Sequence, residues 1–137
     1  MEFSTLVKYY EQLESTTKRL EMRDILMQLF KEAEEEEIDK IAYLTLGTLY
    51  PAYVGIELGV AEKLAIRALR LVTGVDESKI EDLLNKIGDL GQVAEELLSQ
   101  KKSQLVLFTQ PLTVLDVYNK LDKVARISGE GAIENKV

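Results

Sequence analysis

The sequence predicts an all-α fold, an irregular domain of about seven or eight helices, from three observations. Apolar residues recur at helical spacing along almost the whole chain, and glycine and proline fall between the periodic stretches. No two apolar runs are joined by the Asn-Gly or Asp-Gly pair that marks a β-hairpin. A length of 137 residues suits one domain, and 46% apolar with 30% charged residues is ordinary for a globular protein.

Three helices are predicted in the first fifty residues. Ser4 is expected to cap a helix that runs to about Ser15, after which the segment TTKRL interrupts the periodicity. The stripe of the second helix is Ile25, Leu26, Leu29, Phe30 and Ala33. The third begins near Ile38 and ends before Pro51, and its inward side chains are Ile41, Leu44, Leu46 and Leu49. The glycines of PAYVGIELG then predict a loop.

Three more helices are predicted between residues 60 and 100. The first is closed by Gly74, and its inward side chains are Val60, Leu64, Ala65, Ala68, Leu71 and Val72. At the start of the second, Ser78 and Glu81 have the spacing of a capping box, with Asp76 as a competing cap. Its stripe, which ends at Gly88, is Ile80, Leu83, Leu84 and Ile87. The third runs from about Leu90 to Gln100, with inward side chains Val93, Leu97 and Leu98.

The end of the chain predicts one further helix and the beginning of another. Thr113 is expected to cap a helix that reaches Ile127 and is ended by Gly129, with inward side chains Val117, Leu121 and Val124. The last ten residues, SGEGAIENKV, have the pattern of a helix terminator, a turn and a first helical turn. We therefore expect a fragment, truncated at its C-terminal end within a longer domain.

Composition and charge narrow the function classes. Cysteine is absent, which excludes disulfides and favours an intracellular protein, and histidine, the commonest general base and metal ligand, is absent too. No apolar run approaches the about 20 residues that span a bilayer, so no membrane partner is expected. The net charge of −7 argues against a strongly cationic nucleic-acid binder but is compatible with a local basic face. We interpret the acidic block of Glu34–Glu37 with Asp39 as a solvated helix end or loop.

No catalytic constellation is visible. The Walker pattern and a Gly-x-Gly-x-x-Gly loop between a strand and a helix are both missing. No serine has a histidine partner for nucleophilic catalysis, and adjacent acidic pairs such as Glu95–Glu96 point in diverging directions on a helix. The sequence predicts a binding module in preference to a stand-alone enzyme.

Three segments have the composition of a phosphate contact. TTKRL places Thr17, Lys18 and Arg19 at a helix junction, where hydroxyls, cations and free amides suit an anion; a capped helix with solvated cations is the alternative. KIGDLGQV resembles the hairpin of helix-hairpin-helix modules, in which Gly88 and Gly91 let amides approach a phosphate; a plain helix connection is the alternative. SGEGAIENK offers two glycines and exposed amides at a helix start.

Six segments in a fixed order carry a family resemblance: TTKRLEMRDIL, YLTLGTLYP, ELGVAEKLAIRAL, TGV, GDLGQVAEELL and QPLTVLDVYNKLDKVARISGEGAIENK. Together they resemble the N-terminal DNA-binding domain of ATP-dependent DNA ligases of the archaeal and eukaryotic replicative type, and are closer to the archaeal members. The resemblance covers the chain from about Ser4. It implies an all-helical domain that precedes an adenylation domain and an OB-fold domain, which together encircle nicked duplex DNA in replication and repair.

The resemblance also implies which residues act. The family's minor-groove and backbone contacts fall on Thr17, Lys18 and Arg19 and on the turn that holds Gly129, Gly131 and Lys136. The family's adenylated lysine lies in a K-x-D-G motif, which this chain lacks, so no catalytic residue is expected in it. ATP and Mg²⁺ are implied for the full-length parent alone, and the archaeal likeness implies a cytoplasmic, nucleoid-associated protein.

The stretch QLVLFTQPLT suggests a second interaction. In archaeal ligases the loop before QPLT carries a sliding-clamp motif that begins with glutamine and ends in two aromatic residues. Here Gln104 begins the motif, and Leu107 and Phe108 occupy the two positions where the motif has aromatic residues. A glutamine and an apolar anchor on a lysine-flanked loop suit a hydrophobic pocket, but the same residues are equally compatible with packing on this domain.

The sequence therefore predicts a non-catalytic DNA-binding module that grips nicked duplex DNA without sequence preference. The rival from another class is a helical adaptor that binds a sliding clamp or another partner through residues 104–108. Self-association of the fragment through an exposed apolar edge is a further expectation.

Overall fold

Within residues 1–99 and 110–127, the part of the chain that the computed structural model describes, the regular structure is helical. The one β-type pairing in these residues is an isolated bridge between Glu2 and Thr113. The prediction of an all-α fold is confirmed. The chain divides into unit 1, Met1–Leu58 with Gln110–Arg126, and unit 2, Gly59–Thr109 with Ile127–Val137.

Unit 1 is built from four helices and a short 3-10 turn. They are α1 (Phe3–Glu14), α2 (Arg19–Glu32), α3 (Ile38–Thr45), the turn Ala52–Val54, and the helix Val114–Arg126, numbered α7. Each α-helix contributes one fully buried side chain to the core: Leu6, Leu29, Ile41 and Val114. Because α7 is distant in sequence from the other three helices, this core depends on contacts that a local pattern does not specify.

Within its described residues, 59–99 and 127, unit 2 contains three consecutive helices. They are α4 (Glu62–Thr73), α5 (Glu77–Ile87) and α6 (Leu90–Ser99). Their core consists of Ile66, Ile80, Val93 and Leu97, with Leu69, Leu83, Leu84 and Ile87 among the partly buried residues packed against it. Gly74 and Gly88 end α4 and α5 in the left-handed conformation, with φ of 73° and 83°. This confirms the two predicted helix ends, since glycine adopts such a φ without steric cost.

Two predictions in unit 1 are wrong in their details. Ser4 lies inside α1, where its hydroxyl donates to Glu2, and Glu2 stands at the N-cap position. Helix α3 ends at Thr45, so the side chain of Leu46 is 76% exposed, whereas its spacing predicts an inward position. Leu49 is buried as predicted, but it lies beyond the helix.

The capping prediction for α7 is confirmed. The Thr113 hydroxyl accepts from the Asp116 amide at 3.1 Å, and the Asp116 carboxylate accepts from the Thr113 amide at 3.1 Å. The reciprocal pair is a capping box with aspartate in place of glutamate. The helix ends at Arg126, one residue before the predicted Ile127, and its most buried side chains are Val114 and Tyr118.

The inward face predicted for α4 is wrong. The helix begins at Glu62, after Val60, and the side chains of Leu71 and Val72 are 59% and 56% exposed. The core is reached instead by Ile66 and Leu69. Apolar residues cover two separate faces of α4, so helical spacing alone does not determine which face is buried.

Two smaller corrections concern α5 and α6. Ser78 lies within the first turn of α5, so the predicted capping box is wrong; its hydroxyl donates to Asp76, which occupies the N-cap position without a side-chain hydrogen bond to the helix amides. In α6, Val93 and Leu97 are buried as predicted, whereas Leu98 is 38% exposed. None of the helices in the described ranges has the length and apolarity needed to cross a membrane.

Candidate nucleic-acid interface

The connection between α1 and α2 holds the first predicted contact, and it is ordered by its own side chains. Thr16, Thr17 and Lys18 link the helices, with Lys18 at the N-cap position of α2 and Arg19 as its first residue. The Lys18 amide donates to the Thr16 hydroxyl at 3.2 Å. Lys18 lacks a side-chain acceptor, so α2 has no side-chain cap there.

A carboxylate lies beside Lys18. Glu21 accepts from the Thr16 hydroxyl and pairs with the Lys18 ammonium at 3.7 Å. The side chains of Lys18 and Glu21 are 77% and 53% exposed. An ion pair that is so exposed contributes about 0–1 kcal/mol. Separating Glu21 from Lys18 therefore costs little free energy.

The second predicted contact, between α5 and α6, is occupied by Asp89. The Asp89 carboxylate accepts from the Gly91 amide at 2.8 Å and from the Gln92 amide at 3.4 Å, and so caps α6. A Cβ on Gly91 would stand 3.2 Å from the same carboxylate oxygen, which gives that glycine a local structural role. Gly88 donates its amide to Leu84. A phosphate contact at Gly88 and Gly91 thus requires that the anion replace Asp89, and it stays a prediction.

The remaining assigned residues lie outside the described part of the chain. They are Gly129, Gly131 and Lys136 of the second DNA-contacting turn and Gln104, Leu107 and Phe108 of the clamp segment. Their roles stay predictions from the sequence.

A large concave feature of unit 1 is an apolar groove. Its volume is about 750 Å³, and it is lined by Leu44, Leu46, Leu49, Tyr50, Ile56 and Leu121 among others. Leu46 and, on the adjacent 3-10 turn, Tyr53 are largely exposed. Its lining lacks a converging set of charged groups, and no group of three or more metal-ligating residues occurs in the described ranges. The groove is thus suited to apolar contact.

Sequence interpretation missed two charged features. Glu37, which the sequence assigns to a solvated acidic block, is buried, and its carboxylate accepts from the Met1 ammonium at 2.9 Å and from the Glu34 amide at 3.0 Å. The second feature is a face of α4 that carries Lys63, Arg67 and Arg70. Their spacing of four and three residues is the signal that identifies this face.

Comparison with known proteins identifies the family. Residues 2–137 match the family described as DNA ligase N terminus. The chain belongs to this family. Archaeal relatives agree with the assignment: "DNA ligase 2" of Thermofilum pendens is 50% identical over 98% of this chain and 24% of the relative. "DNA ligase 2" of Korarchaeum cryptofilum is 49% identical over 100% of the chain and 23% of the relative.

A more distant archaeal relative gives the same picture. "DNA ligase" of Nitrosopumilus maritimus is 44% identical over the whole chain and 23% of the relative. The chain therefore spans about a quarter of the length of these relatives. The resemblance stated from the sequence, to the N-terminal part of archaeal-type DNA ligases, is confirmed.

Proposed function

We propose that this chain is the N-terminal part of the DNA-binding domain of an ATP-dependent DNA ligase, and that it grips nicked duplex DNA. The observation that carries the proposal is the exposed pair Lys18 and Arg19 at the N-terminus of α2, which has no side-chain cap, in a chain that matches the DNA ligase N terminus family. Cations and backbone amides at a helix start are a common phosphate contact.

Such contacts hold the duplex without selecting a base sequence. Hydrogen bonds and ion pairs to phosphate fix the position of a protein on DNA, whereas sequence is read from the base edges. A ligase that joins strands in replication and repair needs this kind of grip, because nicks arise at any sequence. On a chain of net charge −7 the grip is expected to be weak and strongly dependent on salt.

In this proposal the chemistry belongs to parts of the ligase beyond this chain. An adenylation domain and an OB-fold domain use ATP and Mg²⁺, and the helical domain holds the duplex for them. The chain contains no lysine in a K-x-D-G motif, so we expect no transfer of AMP from ATP to it. We place the parent enzyme in the cytoplasm, at the nucleoid.

The test is the double substitution Lys18→Ala with Arg19→Ala in the 137-residue chain, titrated into a nicked duplex at low salt. The variant should bind more weakly with its circular dichroism and melting midpoint unchanged, because both residues are exposed. The matched control is Arg23→Ala with Lys31→Ala, which removes the same charge from exposed positions further along α2. Equal affinities of the two variants would remove the α1–α2 connection from the DNA contact.

A helical adaptor for a protein partner is the second candidate. It is supported by the clamp-like pattern at Gln104, Leu107 and Phe108 and by the exposed Leu46 and Tyr53, which leave apolar surface for another polypeptide. Sedimentation at increasing concentration tests the self-association that this surface allows. A chain that binds a sliding clamp but no duplex at low salt would replace the first proposal by this one.

A further inference from the structure

One face of α4 is cationic in a chain that is acidic as a whole. Lys63, Arg67 and Arg70 follow one another at i, i+4 and i+7, which places them on one face of the helix. No acidic residue occurs between Glu62 and Asp76. In a chain with 24 acidic and 17 basic residues, three cations on one helix face with no acidic residue between them in sequence are a local concentration of positive charge.

The side chains at the two ends of this α4 face are exposed. Ile66 and Leu69 direct the bordering side of α4 into the core, whereas Lys63 and Arg70 are exposed. Arg70 pairs with Glu77 at 3.7 Å, and the two side chains are 50% and 43% exposed. A pair of this kind contributes about 0–1 kcal/mol and separates readily, so Arg70 can exchange Glu77 for another anion.

We propose that the α4 face of Lys63, Arg67 and Arg70 is a second contact surface for the phosphate groups of duplex DNA, located in unit 2. The proposal rests on the proposed function and adds residues to it. At 1.5 Å per residue the seven-residue interval from Lys63 to Arg70 spans about 10 Å. One strand of B-DNA presents about three phosphates over that length of helix axis, one per 3.4 Å. Lys63 and Arg70, the exposed ends of this interval, therefore lie about three phosphate steps apart on one strand.

The cations of α5 do not form an equivalent surface. Lys79 and Lys86 have similar i, i+7 spacing, but Asp82 lies between them on the same groove, and Glu81 is adjacent in sequence. A phosphate near these lysines meets a carboxylate at the centre of the interval. Lys79 and Lys86 therefore supply a control within the same unit, equal in charge and different in arrangement.

The experiment compares Lys63→Gln with Arg70→Gln against Lys79→Gln with Lys86→Gln, each in the 137-residue chain. Fluorescence anisotropy with a labelled nicked duplex is measured at several salt concentrations, and circular dichroism checks the fold. The α4 variant should bind more weakly and lower the log–log salt slope by about 0.9 for each phosphate that is no longer neutralised. The α5 variant should keep the slope of the wild-type chain. Arg67 is left unchanged because it is half-buried.

A further variant keeps the proposal testable if the α4 variant fails to fold. Glu77→Gln frees Arg70 without removing a cation, so it should strengthen duplex binding more than Glu81→Gln, which removes the same charge elsewhere on α5. The proposal is overturned if the α4 variant and the α5 variant change binding equally, or if Glu77→Gln and Glu81→Gln do. Equal changes would mean that binding depends only on the net charge of the chain. Competition by polyglutamate as effective, per charge, as competition by duplex would assign the face to acidic polypeptides and also overturn it.

The outcomes separate this inference from the proposed function. If the wild-type chain binds duplex with a normal salt slope and the α4 variant is unchanged, the inference fails and the proposed function stands. If the wild-type chain does not bind duplex at low salt, both fail.

Discussion

Unit 1 and unit 2 have cores of similar make-up but are closed in different ways. In unit 1, hydrogen bonds join residues far apart in sequence: Met1 with Glu37, Leu49 with Tyr118, and Tyr50 with Arg126. In unit 2 the helix ends are closed by local bonds, such as those from the Gly74 amide to Arg70 and from the Gly91 amide to Asp89. Unit 1 is therefore stabilised by side chains that are distant in sequence, whereas unit 2 relies on residues at the ends of its own helices.

A group of aromatic and charged side chains in unit 1 makes contacts between segments that are distant in sequence. The Tyr118 hydroxyl donates to the Leu49 carbonyl, and the Tyr118 and Tyr50 rings meet edge to face at 6.3 Å. Burial, with smaller contributions from Tyr50 and nearby carboxylates, raises the pKa of Tyr118 to about 12, so this donor stays protonated at neutral pH. Arg126 donates to Asp122 at 3.0 Å and lies over the Tyr50 ring at 5.5 Å. These contacts fix the segment after α3 against α7.

The largest expected effect comes from truncating the two cores. Leu29→Ala and Ile80→Ala remove fully buried side chains, and each should lower the free energy of unfolding by about 2–5 kcal/mol. Hydrogen exchange should then show loss of protection mainly in unit 1 for Leu29→Ala and mainly in unit 2 for Ile80→Ala. Leu20→Ala, at a side chain 66% exposed, is the control and should cost about 0.5 kcal/mol or less. Uniform loss of protection in both variants would show that the units unfold together.

The next effect sharpens the contrast by removing one distant contact of unit 1. Glu37→Gln replaces a buried carboxylate that pairs with the Met1 ammonium, and it should cost about 1.5–3 kcal/mol, the range for hydrogen bonds to charged groups. Glu36→Gln, an exposed neighbour, should change the free energy of unfolding by about 0.5 kcal/mol or less. Chemical denaturation at pH 7 measures both.

The pH dependence of the Glu37 effect has a defined sign. Hydrogen bonding to Glu37 raises the pKa of the Met1 ammonium. The protonated ammonium therefore stabilises the fold fully below its ordinary pKa, and this stabilisation is lost as the pH rises through the raised pKa. Burial alone would raise the pKa of Glu37, but the Glu34 amide and the Met1 ammonium outweigh burial and lower it. The stabilisation of the fold by the ionised Glu37 carboxylate is therefore complete above the ordinary pKa of Glu37, and it is lost as the pH falls through the lowered pKa. The difference between wild type and Glu37→Gln should therefore be largest between about pH 5 and pH 8.

A smaller loss of stability is expected when a helix end of unit 2 is altered. Gly74→Ala places alanine at a φ of 73° with no atom within 4 Å of the new Cβ, so the cost is conformational and should be about 1–2 kcal/mol. Gly91→Ala is the comparison, because Gly91 lies within α6 without a positive φ. Its Cβ meets only the Asp89 carboxylate, and we expect a smaller loss of stability. Thermal melting of both variants measures the difference, and equal losses would contradict the role of the left-handed turn.

The smallest expected change in stability concerns the clamp segment. If Leu107 and Phe108 are held outward for a sliding clamp, replacing both with alanine should abolish clamp binding and change the free energy of unfolding by about 0.5 kcal/mol or less. If they are core residues instead, Phe→Ala alone costs about 3–5 kcal/mol. One melting curve and one clamp titration distinguish the two. A large fall in the midpoint with clamp affinity unaltered would contradict the clamp proposal.

Local patterns were predictable, and contacts between distant residues were not. The sequence predicted the ends at Gly74 and Gly88 and the stripe that contains Ile80, because glycine position and helical spacing depend on neighbouring residues. It did not reveal the burial of Glu37, whose stabilising partner Met1 lies at the start of the chain. Helix α4 shows a second limit, since its two apolar faces give the same helical period and only packing selects Ile66.

The candidate site was predictable to a similar extent. The sequence located Thr17, Lys18 and Arg19 at a helix junction, where the structure places them. It did not show that Glu21 pairs with Lys18 or that Asp89 occupies the amide of Gly91, because both depend on side-chain geometry. In the proposed DNA contact, a phosphate would have to replace these acidic groups of the protein itself.

A salt titration tests most directly our proposal that this chain holds duplex DNA through phosphate contacts. The wild-type chain is titrated into two nicked duplexes of unrelated sequence at several salt concentrations. We predict equal affinities for the two duplexes and a linear fall of the log of the binding constant with the log of salt concentration, with a slope of about −0.9 for each phosphate contacted. Preference for one sequence, binding that is indifferent to salt, or no binding at low salt would contradict the account.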